Sequence, residues 1–597
     1  MNEEGFSFTC EEFAAGKFHP LSKAEETLID AIKRLNREKG NGETETLIPL
    51  GVAETHPDTE QVRAELLQWM LTDPKCLDQV KRSGGLRLSA LWVTGQLSME
   101  DVDADFAVVF NYCQFDKALR LERGKFRYLS LANSSCVGVA ANGIHVDTDL
   151  VLSGLVVRGG MGFGLPDNGA VNRDSFAFSL DDARINGVVD CRGATFDNPE
   201  GYSLSLARSE IDGGCDLSET NNTGQVRLDD CRIRATLDCE NAVFRVSLKP
   251  RGTDDYALSL ERSTIGGHCL LRGKFEADGR VSLRHAGIGG DLDCRGARFA
   301  KPKRNHPSTP DGELYCLDVS HGIVRGSCLF GFAAEAMVVL RCLVVGGDLA
   351  ACRAFSDNHA KWDFRSEIRR NFQFYNSFER AFAQSTSENL RSGRAFPKSD
   401  RLLVCSEGVF NDSDLGIDAT QARITGSFDL RNTEWSGRIR FLLGSCGALM
   451  LSIGHAPRGS LELNHANCNV LFARPAAWDG LGSYDLEGFH YKAIEKDEED
   501  GWEKYADWLR RSTTPKLPYP WEQLANVLRA TGHGADARNI LIKRESLRTR
   551  WSGTESLAKE SRHWIYGAMV GYGHKPGRAF LAACRTFLEN HAKWDLR

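Results

Sequence analysis

The side chains with the most chemical potential in this 597-residue chain are its 18 cysteines. Set as C-x-x-C, or beside histidines at ligand spacing, thiols carry redox chemistry or hold zinc. Neither C-x-x-C nor H-E-x-x-H occurs. The loosest metal candidate is His455 and His465 with Cys446 and Cys468, all within one repeat-like segment. Paired carboxylates come next. Asp181/Asp182 and Asp229/Asp230 have the residue type for a carbohydrate-active β-helix, and equally for solvated corners. The string GGMGFG at 159–164 has the wrong spacing for a dinucleotide-binding turn, and no helical pattern follows it, so it reads as a corner. No P-loop and no G-x-S-x-G is present. The residues therefore assign no catalytic group, no cofactor and no metal.

What must position these groups is a repeat. FSLDDARINGVVDCRGATF at 178–196 returns as LSLARSEIDGGCDL at 204–217 and VRLDDCRIRATLDCENAVF at 226–244. LSLERSTIGGHCLLRGKF at 258–275 and VSLRHAGIGGDLDCRGARF at 281–299 follow, with weaker copies at 317–330, 338–355 and 417–435. The anchors Ile185, Ile211, Ile233, Ile265 and Ile288 lie 26, 22, 32 and 23 residues apart, the length of one solenoid coil with insertions. Apolar residues come in pairs two apart that restart after about five residues, which means short inward-facing strands joined at corners. The Gly after each Ile is expected to give the corner its backbone freedom. Nothing recurs at 3.6 residues, so helices are excluded inside the units. The fold class is mainly β: a right-handed parallel β-helix of pentapeptide-like coils with helical ends. Cys191, Cys239 and Cys294 share one place in their copies and are expected to point inward as a ladder of small polarizable side chains.

A solenoid needs covered ends, because terminal coils offer unpaired edges. Residues 1–85 read as a helical cap: SKAEETLIDAIKRLNR at 22–37 opens with a Ser22/Glu25 capping box, and a second helix spans about 59–71. Residues 86–480 read as β-helix, interrupted at about 359–415 by a charged, aromatic insertion suited to binding or to a lid. Residues 481–597 read as helical, including DLEGFHYKAI and GWEKYADWLRR. Leu524, Val527 and Leu528 face Ala537, Ile540, Leu541 and Leu547 across a T-G-H-G turn, as in one tetratricopeptide-like hairpin. The net charge is −7, yet residues 538–597 hold 12 basic against 5 acidic side chains. Trp564, Tyr566, Tyr572, His574, Lys575 and Arg578 in that tail are the candidate contacts for a partner or an anionic membrane surface.

The order of VRAELLQWML, the A-x-I-x-G-x-L-x-L coils, DLEGFHY, YPWEQLANVLRATGHGADARNILI and WIYGAMVGYGHKP resembles a bacterial family of membrane-associated oxidoreductases built on pentapeptide-like repeats. The resemblance implies membrane association and, by the family's label, oxidoreductase activity. In that family G-Y-G-x-x-P precedes membrane helices; here the sequence ends about twenty residues after Pro576. Its last segment, LAACRTFLENHAKWDLR at 581–597, repeats 349–365 at 13 of 17 positions, which reads as recombination.

The start of the chain has no basic-then-apolar leader, and no apolar run reaches about 18 residues, so a cytoplasmic protein at the inner membrane face is expected. Three functions follow. The first is a non-catalytic scaffold with a protein partner. The second is an enzyme, redox or carbohydrate-directed. The third, a DNA mimic, wants a dense acidic face, but residues 170–300 hold 21 acidic and 17 basic side chains, so nucleic-acid machinery is the least expected partner.

Overall fold

The structure, a computed structural model, describes residues 18, 20–38, 61–159, 175–246, 256–300, 315–351, 409–410, 416–451, 459–495, 500–552, 581 and 585, with 348, 432, 433 and 436 excepted. Its centre is a parallel β-solenoid of about 13 turns. Each coil contributes four short strands. In one coil their inward residues are Phe178, Ile185, Val189 and Phe196, and the next coil sets Leu204, Ile211, Cys215 and Asn222 in parallel register against them. We number the four faces in that order. From first face to second the spacing is seven residues in every coil from Phe178/Ile185 to Tyr484/Tyr491, so the inward ladders hold their phase along the rod.

The corner between the first two faces is a turn closed by Ala183 N–H donating to Leu180 O at 3.2 Å, with Asp182 at φ 59°. A turn of this kind usually places Gly there. Here the left-handed position holds Asp182, Arg208, Asp230, Arg262, His285 and His321 in successive coils, each costing about 1–2 kcal/mol of backbone preference. The Gly after each Ile does a different job from the one expected. Gly213 and Gly289 have no left-handed φ; a Cβ on them would lie 2.4 Å from Gly187 O and 2.1 Å from Gly266 O. At these two positions close stacking of one coil's backbone on the next, rather than turning, excludes a side chain, although Ala235 and Arg325 hold the equivalent places in other coils.

The thiols point inward as expected, but not as one unbroken ladder. Up the third face the inward residues run Val189, Cys215, Leu237, Cys269, Leu292, Cys328 and Leu349. Two residues further on they run Cys191, Leu217, Cys239, Leu271, Cys294 and Phe330 in the opposite phase, all buried. From the Cys215 coil to the Cys328 coil, each therefore sets one cysteine beside one large apolar residue, and the next coil reverses them. Such alternation of small and large fills a core without voids.

Before the first coils come α1 (Lys23–Glu38), a strand (Gln61–Arg63), α2 (Ala64–Thr72) and α3 (Pro74–Ser83). The capping box forms: Glu25 N–H donates to Ser22 Oγ at 3.1 Å, and Ser22 N–H to Glu25 Oε2 at 2.9 Å. Residues 61–63 are a strand rather than the start of a helix. Val62 pairs with Val93 at the edge of the stack, and Arg63 donates to the buried Glu25 carboxylate through its backbone N–H and its guanidinium. At the other end DLEGFHYKAI, expected as helix, is a solenoid coil with strands Ser483–Asp485 and His490–Ile494. Gly488 at φ 66° makes its corner, and Tyr484, Leu486, Phe489 and Tyr491 are buried. Then α4 (Trp502–Arg511) sets Trp508 against Trp478, ring centres 5.3 Å apart. Helices α5 (Pro518–Ala530) and α6 (Gly534–Ser552) form the hairpin, with all seven apolar residues named above buried. Its turn is a Schellman motif: His533 N–H donates to Leu528 O at 2.7 Å and Gly532 N–H to Arg529 O at 3.2 Å, with Gly532 at φ 87°. One apolar core runs from Leu28 through the ladders to Leu547.

The described chain leaves and rejoins the stack around the fourth face, in one case between Ala351 on the third face and Val409 on the fourth. It departs after Arg158, Arg245 and Phe299 on the fourth face and returns at Phe176, Tyr256 and Tyr315 on the first. The insertion at 359–415 lies outside the described residues except Val409–Phe410. That strand pairs with Ala333–Ala334 and Glu434–Trp435, so the fourth face continues across it.

Candidate functional site

The sequence candidates fall into three groups. Trp564, Tyr566, Tyr572, His574, Lys575 and Arg578 lie outside the described residues, as do His455 and all of GGMGFG but Gly159. Cys446 and Cys468 face each other on adjacent rungs of the second-face ladder, inside the core, whereas His465 is an exposed corner residue at φ 55°. The inward thiols and the outward imidazole therefore do not converge. No group of three or more His, Cys, Asp or Glu side chains able to hold a metal ion forms among the described residues.

The Asp doublets are corners with committed carboxylates. Arg208 donates to both oxygens of Asp182 at 2.7 Å, and Arg262 to both oxygens of Asp230 at 2.8 Å. Asp181 accepts from Ser205 Oγ at 2.5 Å and Ala207 N–H at 3.0 Å; Asp229 accepts from Ser259 Oγ and Glu261 N–H in the same way. One carboxylate of each doublet thus ties the next coil's turn and the other forms an outside ion pair. Arg123 with Asp101 repeats the pattern lower in the stack. Hydrogen bonds from Arg208 and Arg262 hold Asp182 and Asp230 below the usual carboxylate range.

The thiols are chemically quiet. Of the described cysteines only Cys342 is not buried. Burial pushes Cys113 up to about 11, and Cys136, Cys231, Cys269 and Cys316 up to about 12. It drives Cys191, Cys215, Cys239, Cys294 and Cys328 higher still. Thiol nucleophilicity and metal ligation need the thiolate, so these groups serve packing.

The outer side of the second face is where the surface changes character. Its outward column runs Lys125, His145, Arg184, Glu210, Arg232, Thr264, Gly287, Ile323, Val344, Arg423, Ser445 and Asn467. Ile323 is 53% exposed and Val344 40%, on adjacent rungs. The rings of His285 and His321 stack at the neighbouring corner, 5.0 Å between centres and 14° apart. No family model and no curated protein matches the chain. One solved structure is similar over 45% of this chain and 83% of its own, at 14% identity and a TM-score of 0.14: HetL, a pentapeptide repeat protein involved in heterocyst differentiation regulation, from the cyanobacterium Nostoc sp. strain PCC 7120.

The sequence reading missed this surface, although a signal was there. Once Ile185 and its equivalents are set inward, the residue before each must point outward. The weaker copies carry Ile323 and Val344 where the stronger ones carry Arg184, Glu210, Arg232 and Thr264.

Proposed function

We propose that this protein is a non-catalytic β-solenoid scaffold that engages protein partners along its sides and sits at the inner face of the membrane through its basic, aromatic C-terminal tail. The observation that carries the scaffold reading is that the polar side chains of the repeat are spent on the fold itself. The Asp doublets bind Arg, Ser and backbone N–H groups, and the repeat cysteines pack the core. The family resemblance supports the membrane half of the reading, as does the excess of seven positive charges over residues 538–597. The same resemblance carries oxidoreductase activity as the second reading, and buried, protonated thiols speak against a thiol-based version. No described helix is long and apolar enough to span a bilayer, so any membrane contact through these helices is at the surface.

Two measurements on the full chain test this. Co-sedimentation with phosphatidylserine vesicles should fall several-fold in a Trp564→Ser/Lys575→Glu/Arg578→Glu variant, and equal partitioning overturns the membrane reading. The purified protein should show no flavin or nicotinamide absorbance, and a stoichiometric band overturns the non-catalytic reading.

A further inference from the structure

We infer that the second face between Gly287 and Arg423 is a docking strip for an acidic amphipathic helix of a partner protein; this rests on the scaffold reading and gives it a site. In each coil this face offers two outward positions. From the coil of Gly287 to that of Arg423 they are Gly287 and Gly289, Ile323 and Arg325, Val344 and Gly346, then Arg423 and Thr425. Three of these eight positions are glycine, so the aliphatic pair and the two guanidiniums stand on a lean, flat floor. Gly289 and Gly346 are forced, since a Cβ would meet a carbonyl oxygen of the coil below at 2.1 Å and 2.3 Å. Gly287 is not forced. It has no left-handed φ, and a Cβ there would meet nothing within 4 Å, which leaves an open notch beside Ile323.

Charge selects the partner's sign. Lower on the same face Arg184 is balanced from the adjacent rung by Glu210 at 3.7 Å and Arg234 by Asp212 at 2.9 Å. The side chains of Arg325 and Arg423 are exposed and have no hydrogen bond or ion pair to any described residue. Two unbalanced guanidiniums flanking Ile323 and Val344 suit a segment that combines aliphatic residues with carboxylates.

Spacing selects its conformation. Rungs of the solenoid are about 4.8 Å apart, and a helix lying along the axis returns the same side every 5.4 Å. Aliphatic residues at i, i+3 or i+4, and i+7 therefore stay within about 1.2 Å of register over three rungs. An extended strand presents its same-side residues about 6.7 Å apart and is out by nearly 4 Å over the same distance. The stacked His285 and His321 give the strip an aromatic rim.

The test uses the full chain and a fluorescent, stapled alanine-based helix with Leu at i, i+4 and i+7 flanked by Glu, beside the same helix with Lys for Glu. Fluorescence anisotropy should show micromolar binding of the Glu helix and at least tenfold weaker binding of the Lys helix. Arg325→Glu/Arg423→Glu should reverse that preference. Gly287→Gln, which fills only open space, should weaken the Glu helix at least fivefold with an unchanged melting temperature. Equal binding of both helices, absence of binding, or preference surviving the charge reversal overturns the strip. Equal vesicle partitioning of the tail variant, or a cofactor band, counts against the proposed function instead, so the two fail separately.

Discussion

The alternation of cysteine and leucine along the third face can be tested by exchanging one pair. Leu237 and Cys239 are both fully buried, two residues apart in one coil, and the coils on either side carry Cys215/Leu217 and Cys269/Leu271. Leu237→Cys removes two carbon-sized groups, about 1.6 kcal/mol of transfer free energy, plus about 1 kcal/mol for a partly collapsed cavity. Cys239→Leu inserts the same two groups into a filled site and costs about 1–3 kcal/mol. The double exchange keeps the coil's composition and volume. If only volume mattered, it should cost less than about 1.5 kcal/mol. The exchange, however, stacks three leucines in a row up one column and three cysteines up the next, so overpacking and cavity both persist. We expect about 3–5 kcal/mol, close to the sum of the singles. Guanidinium denaturation followed by far-UV circular dichroism, with the slopes compared, measures it. A double variant within about 1.5 kcal/mol of the parent would refute the reasoning and make the alternation incidental.

Gly287→Ala and Gly289→Ala, two residues apart on the second face of one coil, should part company. The first should be neutral or stabilise by up to about 1 kcal/mol, and the second should destabilise by about 1–3 kcal/mol as its Cβ meets Gly266 O. Mass-mapped labelling of the native protein with a small maleimide should find Cys342 the fastest of the described cysteines; quick labelling of Cys239 or Cys294 would contradict the core placement. Burial raises the Glu25 carboxyl, but the Arg63 and Ser22 hydrogen bonds outweigh it and leave it below its usual 4.5. The stabilisation it gives the cap is therefore present above about pH 4.5 and lost as pH falls through the lower folded value. Hydrogen exchange of α1 should accelerate on acidification in the parent, and Glu25→Gln should flatten that response.

Much of this molecule was legible from the spacing of its residues. The Ile anchors gave the coil length, the pairs two apart gave the inward phase, and Ser22 with Glu25 marked the first helix. The hairpin also followed, because its apolar residues and T-G-H-G turn carry local rules. What escaped depends on the neighbouring coil. A glycine needed for stacking looks like a glycine needed for turning until the carbonyl beneath it is placed, as at Gly289. The left-handed corners are hidden in the sequence because Asp182, Arg208 and His285 occupy them without glycine. DLEGFHYKAI failed for a related reason: Tyr484, Leu486, Phe489 and Tyr491 keep the two-residue pairing, but its only glycine, Gly488, is at the left-handed corner and none follows the second-face anchor Tyr491. For the site, the apolar exposure of Ile323 and Val344 could be read only after the inward register was known.

The departures and returns of the chain on either side of the fourth face have a wider consequence. The largest irregular lengths are swept to either side of the fourth face, as defects in a crystal are swept to a grain boundary, while the corner between the first and second faces keeps a constant count. The first two faces are then a ruled surface on which an outward side chain occupies a lattice point fixed by coil number and face. Duplication or loss of one whole coil would translate a surface feature by one rung without rotating it, and drift in the seam would leave that address unchanged. A chain built this way can vary in size and decoration while the distance between any two features in one column of these faces remains a whole number of rungs.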